Sequence, residues 1–228
     1  MTRLLALGDS HLEALEFAAQ LRLLTADSCA FSIVPGATAV GLRNPNALTN
    51  AVNIFKEMLG QESRNSCLLF HLGEVDCGFV IWWRAQQYGE SVESQFQASI
   101  DAYALFLADV QAMGFGKICI VGASLPTIKD GVSFGDVANK RSEIAVGIRE
   151  RTELTMAYNA QLQLLARGRG LRYLELTDAV LNQDSRLVHD FFRSPDPADH
   201  HLDKQKTASA WAAMCNAFLA GSMAEESA

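Results

Sequence analysis

The sequence lacks any run of lysine or arginine longer than two residues, and its 26 acidic residues outnumber its 19 basic ones. The formal net charge of −7 is opposite in sign to the basic surfaces by which proteins bind nucleic acids or anionic membranes. The chain also lacks an apolar stretch close to the roughly 20 residues of a membrane-spanning helix. We therefore expect no nucleic-acid partner and no membrane span.

The sequence lacks a cysteine pattern typical of disulfides or of a zinc site. There are five cysteines, an odd number, and no two of them form a CxxC motif. Cys29, Cys67 and Cys119 lie in apolar, strand-like runs. This pattern indicates buried free thiols in a reducing compartment rather than disulfides or a zinc site. Because Asp9 and Glu13 closely follow the short N-terminal apolar run, we expect a first strand rather than a signal peptide, and a cytoplasmic location.

No nucleotide-binding pattern of the GxGxxG or GxxxxGK[ST] type follows any apolar run, which disfavours a nucleotide-binding protein. The chain also lacks internal repeats, low-complexity tracts and a recognisable linker. With 228 residues, 49% of them hydrophobic, it can bury a sizeable core. We expect a single domain over residues 1–228.

Short apolar runs alternate along the chain with longer segments of helical periodicity. This alternation predicts an α/β protein with a parallel sheet covered by helices on both faces. Right-handed crossovers and short connections favour the strand order 2-1-3-4-5 of a flavodoxin-like three-layer sandwich. The predicted strands are 3–7, 29–34, 67–72, 117–123 and 171–176, the predicted helices are 11–23, 47–59, 92–113, 148–167 and 203–219, and 124–147 is predicted to be a long surface loop.

Unusual polar loops follow four of the five predicted strands. In a parallel sheet these loops share the carboxyl edge, where ligands bind. Gly8-Asp9-Ser10 stands out because Ser10 would lie at the amino end of a helix, whose N–H groups favour a nearby oxyanion. The alternative is an ordinary helix cap, since Asp and Ser are common at that position. The other three loops contain residues 35–46, 73–78 and 195–203.

In order and spacing, these loops resemble the sequence blocks of the SGNH (GDSL-type) hydrolases. Gly8-Asp9-Ser10 matches the block of the nucleophile, and Gly36 matches the glycine of the oxyanion hole. Gly73 and Asp76 match two positions of the third block, Gly-x-Asn-Asp. The resemblance implies Ser10 as nucleophile, the N–H groups of Ser10 and Gly36 as oxyanion hole, Asp9 and Asp76 as support of the site, and no cofactor.

The chain departs from this family at the oxyanion asparagine, which is replaced by Val75. A valine side chain cannot donate a hydrogen bond, and losing one such donor can cost on the order of 10²–10³ in rate. Either the backbone N–H groups suffice, or Asn44 or Asn46 substitutes. Glu74 would be unfavourable beside an oxyanion, so we expect it to point away.

The last block departs as well, because no Asp-x-x-His sequence precedes the final helix. Two pairs are left, Asp199-x-His201 and Asp196-x-x-x-His200. We favour Asp199 with His201, because residues i and i+2 of an extended segment lie on the same side. An Asp-x-His arrangement also resembles the form found in some SGNH-like polysaccharide acetyltransferases.

The expected function is a serine esterase that hydrolyses small acyl esters, with acetyl groups on a carbohydrate as one candidate substrate. An acetyltransferase with the same triad, and a catalytically weak relative that binds glycans or a partner protein, are the alternatives. The His pair could bind a divalent metal with Asp196, Asp199 and Asp203. Because no further His/Glu cluster points to that place, we expect no metal. Phe79, Trp82 and Trp83 could either cover the sheet or contact the substrate.

Overall fold

The computed structural model describes residues 1–131, 143–196 and 198–224. Five parallel strands form one sheet in the order β2-β1-β3-β4-β5, so the predicted fold class and strand order are confirmed. Part of the predicted loop 124–147 lies outside the described residues. The strands are β1 (Arg3–Gly8), β2 (Ser28–Ile33), β3 (Cys67–His71), β4 (Ile118–Val121) and β5 (Arg172–Leu174).

Helices cover both faces of the sheet, as alternate residues of the central strands predict. Leu5 and Leu7 of β1 face one apolar cluster, whereas Leu4 and Ala6 face another. The helices of the described chain are α1 (Glu13–Gln20), α2 (Ala51–Gln61), α3 (Ile81–Tyr88), α4 (Val92–Ala112), α5 (Ile148–Gly168), α6 (Thr177–Val180) and α7 (Lys204–Ala224). Helices α2, α4 and α5 pack in the first cluster, and α1 and α7 in the second.

The first two helices begin later than the apolar periodicity predicts. Ser10–Leu12 forms a 3₁₀ turn before α1, because the Asp9 side chain accepts the His11 N–H and caps the turn. Asn50, with φ of 54°, has a left-handed backbone, so α2 begins at Ala51 rather than at residue 47. Asparagine tolerates this conformation better than most residues.

Several elements of the described chain are additional to the predicted ones. A π-helical turn, Asp76–Val80, begins within the predicted polar loop 73–78 and leads directly into α3, which the sequence analysis did not predict. After β5, the four-residue helix α6 precedes an antiparallel hairpin of β6 (Leu181–Asn182) and β7 (Leu187–Val188). Two-residue strands and a single helical turn are too short to leave a periodic signal.

Two further expectations can be compared with the structure. All five cysteines are free and four are buried, which confirms the prediction of free thiols. Among the helices in the described part of the chain, none combines the length and apolar character needed to cross a membrane.

His71 ends β3 in the core, where its ring packs edge-on against Trp211 and its Nε2 lies 3.3 Å from Ser124 Oγ. Burial lowers the pKa of His71 from its ordinary 6.5 to about 4, because the charged form loses its hydration. Between these two pH values the unfolded chain takes up a proton that the folded protein excludes.

We therefore expect the free energy of unfolding to fall as the pH drops from 6.5 towards 4, with His71 contributing on the order of 3 kcal/mol of this loss. Above pH 6.5 both states are neutral at this position, and the contribution vanishes. Urea denaturation of wild type and His71→Gln at several pH values would isolate the effect. The same pH slope in both proteins would contradict the prediction.

Candidate active site

Ser10 lies where the end of β1 meets the start of α1, at the carboxyl edge of the sheet. The chain can turn there because Gly8 has no side chain: a Cβ at this position would overlap the carbonyl oxygen of His71 on β3. The Asp9 N–H donates to that same oxygen at 3.2 Å. The turn carrying Ser10 is thus fixed to the central strands of the sheet.

Ser10, His201 and Asp199 form a continuous chain of hydrogen bonds. Ser10 Oγ lies 2.8 Å from His201 Nε2, and His201 Nδ1 lies 2.5 Å from Asp199 Oδ1. The backbone N–H of His201 also donates to this carboxylate oxygen at 3.0 Å. A carboxylate beside Nδ1 favours the tautomer with the proton on Nδ1, so Nε2 is left to accept the Ser10 proton.

Local electrostatics favour a neutral imidazole and an ionised carboxylate in this chain. Burial lowers the pKa of His201, and the nearby His11 adds to the effect, while the hydrogen bond to Asp199 opposes it. For Asp199 burial is the largest single influence and acts upwards. The hydrogen bonds from the His201 backbone and ring outweigh it and lower the pKa of the carboxyl.

The two predicted alternatives for the acid and the base are placed differently. Asp196 is exposed, and its Oδ1 accepts the N–H of Ala198 at 2.9 Å. The His200 ring stacks on His201 with 3.9 Å between ring centroids. Within the described residues, the histidine ring bonded to the Ser10 hydroxyl is therefore that of His201, and its carboxylate partner is that of Asp199.

The loop that carries Gly36 runs beside the Ser10 turn. The Val34 N–H donates to the Gly8 carbonyl at 2.9 Å, so the loops after β1 and β2 start side by side. Gly36 has φ of 73°, in the left-handed region that favours glycine. It is not among the described residues that line the cavity reported below.

Asp76 holds the loop after β2 through hydrogen bonds to its backbone. Its carboxylate accepts the N–H groups of Ala39 at 2.7 Å and of Val40 at 3.0 Å. It also accepts the Ser99 hydroxyl at 2.8 Å, and that hydroxyl lies 2.8 Å from Tyr158 Oη. Burial raises the pKa of Asp76, against the effect of these hydrogen bonds. The loops after β2 and β3 are thereby joined through one buried carboxylate.

The Glu74 side chain is buried against the His11 ring. Its side chain is 1% exposed, and its Oε2 lies 3.7 Å from Nε2 of His11. The His11 ring is equally buried, with Nδ1 3.1 Å from Asp9 Oδ1 and its ring centroid 4.6 Å from that of His201. The Asp9–His11–Glu74 group therefore lies beneath the site next to the His201 ring. Asp9 was predicted to support the site, whereas the sequence did not indicate the part of His11 and Glu74.

The side chains suggested as substitutes for the missing asparagine lie elsewhere. Asn44 and Asn46 are exposed, and the Asn44 side chain accepts the Asn46 N–H at 3.0 Å. Neither is among the described residues around the cavity at Ser10. Val75 itself is half-buried.

A cavity of about 250 Å³ opens beside Ser10 and His201. Trp211 of α7 and Ser124, which follows β4, contribute to its walls, although sequence reasoning gave neither a place in the site. Lys204 and Glu13 add one charge of each sign. Phe79, Trp82 and Trp83, for which sheet cover and substrate contact were both left open, are outside the described walls. Trp82 donates to the Cys77 carbonyl at 2.8 Å, and Trp83 packs between Phe79 and Tyr88.

Comparison with known proteins identifies the fold. No protein-family model matches the chain, and a search of the curated proteins found no significant match. Solved structures, in contrast, match over nearly the whole chain. A proposed arylesterase from Agrobacterium tumefaciens str. C58 shares 16% identity, with 94% of this chain and 97% of the other covered and a TM-score of 0.61.

Two other structures show the same likeness. A GDSL-like lipase from Bacteroides thetaiotaomicron VPI-5482 is 9% identical over 96% of this chain and 88% of its own, with a TM-score of 0.59. A mutant of an acetyl-xylooligosaccharide esterase from Geobacillus is 10% identical over 97% and 93%, with a TM-score of 0.56. The chain thus has the fold of the SGNH (GDSL-type) hydrolases, as the sequence blocks predicted.

We expect Asp76→Ala to destabilise the protein by about 3 kcal/mol, because it leaves three buried donors without their acceptor. Urea denaturation would measure the change. Asp101→Ala is the matched control, since Asp101 is exposed on α4 and its carboxylate accepts the exposed Gln97 side chain. Equal stability of the two variants would contradict this account of Asp76.

Proposed function

We propose that the protein is a carboxylic ester hydrolase that uses Ser10 as nucleophile, His201 as general base and Asp199 as the residue that orients the base. The observation that carries the proposal is the hydrogen-bonded chain from Ser10 Oγ through His201 to Asp199, at 2.8 and 2.5 Å. Nucleophile, base and orienting carboxylate in sequence are the arrangement that activates a serine hydroxyl.

The reaction would proceed in two steps. His201 Nε2 takes the Ser10 proton while Oγ attacks the carbonyl carbon of the ester. The same nitrogen then returns the proton to the departing alcohol, which leaves an acyl group on Ser10. Water, activated in the same way by His201, attacks the acyl-enzyme and releases the acid. Asp199 stabilises the imidazolium that forms in both steps.

The developing oxyanion would be held by the backbone N–H groups of Ser10 and Gly36. Ser10 begins the 3₁₀ turn that leads into α1, where the N–H groups lack helical partners. Val75 supplies no side-chain donor, so the backbone groups carry this role in the proposed mechanism. Asp9 and Asp76 support the site, through the Ser10 turn and the Gly36 loop respectively.

Small acyl esters are the proposed substrates. A cavity of about 250 Å³ accommodates an acetyl-sized acyl group more readily than a long chain. The esterases and the lipase that share this fold act on esters, by their names, and one of them on acetylated xylooligosaccharides. Acetyl groups on a carbohydrate are therefore the substrate class to test first. A cytoplasmic location and a single domain over residues 1–228 stay predictions.

We expect Ser10→Ala and His201→Ala to lower the rate of p-nitrophenyl acetate hydrolysis on the order of 10³-fold or more, since either change removes the nucleophile or its base. A fluorophosphonate probe should label wild type at Ser10 and leave Ser10→Ala unlabelled. His200→Ala is the matched control, because it removes the neighbouring imidazole that is not bonded to Ser10.

The controls separate the alternatives. Absent labelling and absent hydrolysis in wild type would refute the esterase and favour a binding protein. Strong labelling with slow hydrolysis that added sugar alcohols accelerate would favour acyl transfer to an alcohol. Loss of activity in His200→Ala but not in His201→Ala would show that the base is misassigned.

Asp199→Asn should lower kcat on the order of 10²–10⁴-fold, because an amide no longer enforces the Nδ1–H tautomer or stabilises the imidazolium. Asp196→Asn provides the comparison, since this exposed carboxylate accepts the Ala198 N–H of its own loop and, among the described residues, does not bond to His201. Steady-state kinetics of both variants decide the point. A larger loss in Asp196→Asn would exclude Asp199 as the orienting residue.

A further inference from the structure

Three imidazole rings lie together beside Ser10, one from His11 and two from the consecutive residues His200 and His201. The ring centroids of His11 and His201 are 4.6 Å apart, those of His200 and His201 are 3.9 Å apart, and those of His11 and His200 are 5.3 Å apart. One nitrogen of each ring lies within 4.8 Å of the other two. Imidazole nitrogen is a preferred ligand of zinc and its neighbours in the first transition series.

Two of these rings have carboxylates at their Nδ1 atoms. Asp9 Oδ1 lies 3.1 Å from Nδ1 of His11, and Asp199 Oδ1 lies 2.5 Å from Nδ1 of His201. In metal sites, ligating histidines have this same arrangement, because the carboxylate fixes the tautomer whose Nε2 carries the lone pair. It also raises the basicity of that nitrogen towards a cation.

The charge around the rings suits a cation as well. Besides Asp9 and Asp199, the buried Glu74 carboxylate lies 3.7 Å from Nε2 of His11. Lys204 is the basic residue that lines the neighbouring cavity, and its Nζ lies over the Phe17 ring. Glu13 and Asp203 also line this cavity, so carboxylates outnumber the ammonium group among the described residues around the rings.

The rings need only a small adjustment to close on an ion. Zinc–nitrogen bonds of about 2.0–2.1 Å in tetrahedral geometry place ligand nitrogens roughly 3.4 Å apart. His11 is buried beneath the site, whereas His200 and His201 are partly exposed on the segment before α7. The Thr127 hydroxyl donates to the His200 carbonyl, which anchors the backbone of this segment beside the other two rings.

We propose that His11, His200 and His201 form a binding site for a divalent cation of the zinc class. Three nitrogen ligands select Zn²⁺ or Co²⁺ over Mg²⁺ and Ca²⁺, which prefer oxygen. This proposal replaces our expectation of no metal. The sequence suggested Asp196, Asp199 and Asp203 as partners of the His pair, and it gave no sign of His11, which follows the first strand.

Binding of the cation would switch off the proposed esterase, and this second part rests on the proposed function. His201 Nε2, the atom 2.8 Å from Ser10 Oγ, would be bonded to the metal and could no longer accept the serine proton. His201 Nε2 could therefore either bind zinc or accept the Ser10 proton, but not both at once.

Binding is tested with the metals alone, by calorimetry with Zn²⁺ and by the visible absorption of Co²⁺, on wild type, Ser10→Ala, His200→Ala and His189→Ala. We expect one ion per chain in wild type and in Ser10→Ala. Affinity in His200→Ala should fall by roughly 10–100-fold or more, because loss of even an outer-shell partner costs that much. His189→Ala, which removes an exposed histidine outside the cluster, should bind as wild type does.

Activity provides the second measurement. Zn²⁺ should inhibit p-nitrophenyl acetate hydrolysis by wild type, and a chelator should restore the activity. The activity of His200→Ala should be less sensitive to Zn²⁺ when the rate of each protein is divided by its own rate without metal. Equal zinc affinity in His200→Ala and wild type, or activation by zinc, would overturn the proposal. If wild type hydrolyses nothing, the esterase proposal fails, and the binding measurement still decides the metal site. His200→Gln repeats the test should His200→Ala fold poorly.

Discussion

The hydrogen bond between Ser10 and His201 joins the two ends of the described chain, and the packing of α1 against α7 makes it possible. Ala18 of α1 meets Ala208 and Ala212 of α7 in a small buried cluster. Such short side chains let the two helices approach closely, and Trp211 fills the space next to them. Since Ser10 precedes α1 and His201 precedes α7, this helix pair sets the distance between the Ser10 hydroxyl and the His201 ring.

Buried polar groups beneath the site depend on the central strands in a similar way. Asp76 joins the loops after β2 and β3, and Asp9 caps the turn after β1. Both carboxylates are fully buried. Asp76 accepts two backbone N–H groups and the Ser99 hydroxyl, which offsets much of the cost of removing it from water, whereas Asp9 accepts the His11 N–H through Oδ1 alone. The sheet supplies the positions of these loops, and the carboxylates fix their conformations relative to one another.

Much of this arrangement could be predicted from the sequence because its signals are local. Near-continuous apolar runs and their alternation with helical segments give the strand order, and the Gly-Asp-Ser turn marks one edge of the sheet. The pairing of Asp199 with His201 follows from their spacing of two residues. These features need no knowledge of which distant residues meet.

Other features depend on contacts that no local pattern reveals. In the sequence His11 looks like the first residue of a helix, and its place between Asp9 and Glu74 depends on the approach of β3 to β1. The π-helical turn before α3 occupies a stretch that looks like a polar loop. Trp211 belongs to an ordinary apolar helix face, and only the packing of α7 brings it to the cavity wall.

Val75 connects these observations to the proposed chemistry. Where a side-chain donor assists the oxyanion, a small error in the position of a backbone N–H can be compensated. Without that donor, the stabilisation depends on how firmly Ser10 and Gly36 are held, because preorganised donors contribute most when they need not move. Gly36 lies a few residues before Ala39 and Val40, whose N–H groups Asp76 accepts. Ser10 directly follows Asp9, which caps the turn that contains it. In the proposed mechanism, the buried carboxylates thus do by rigidity what the missing asparagine would have done by direct contact.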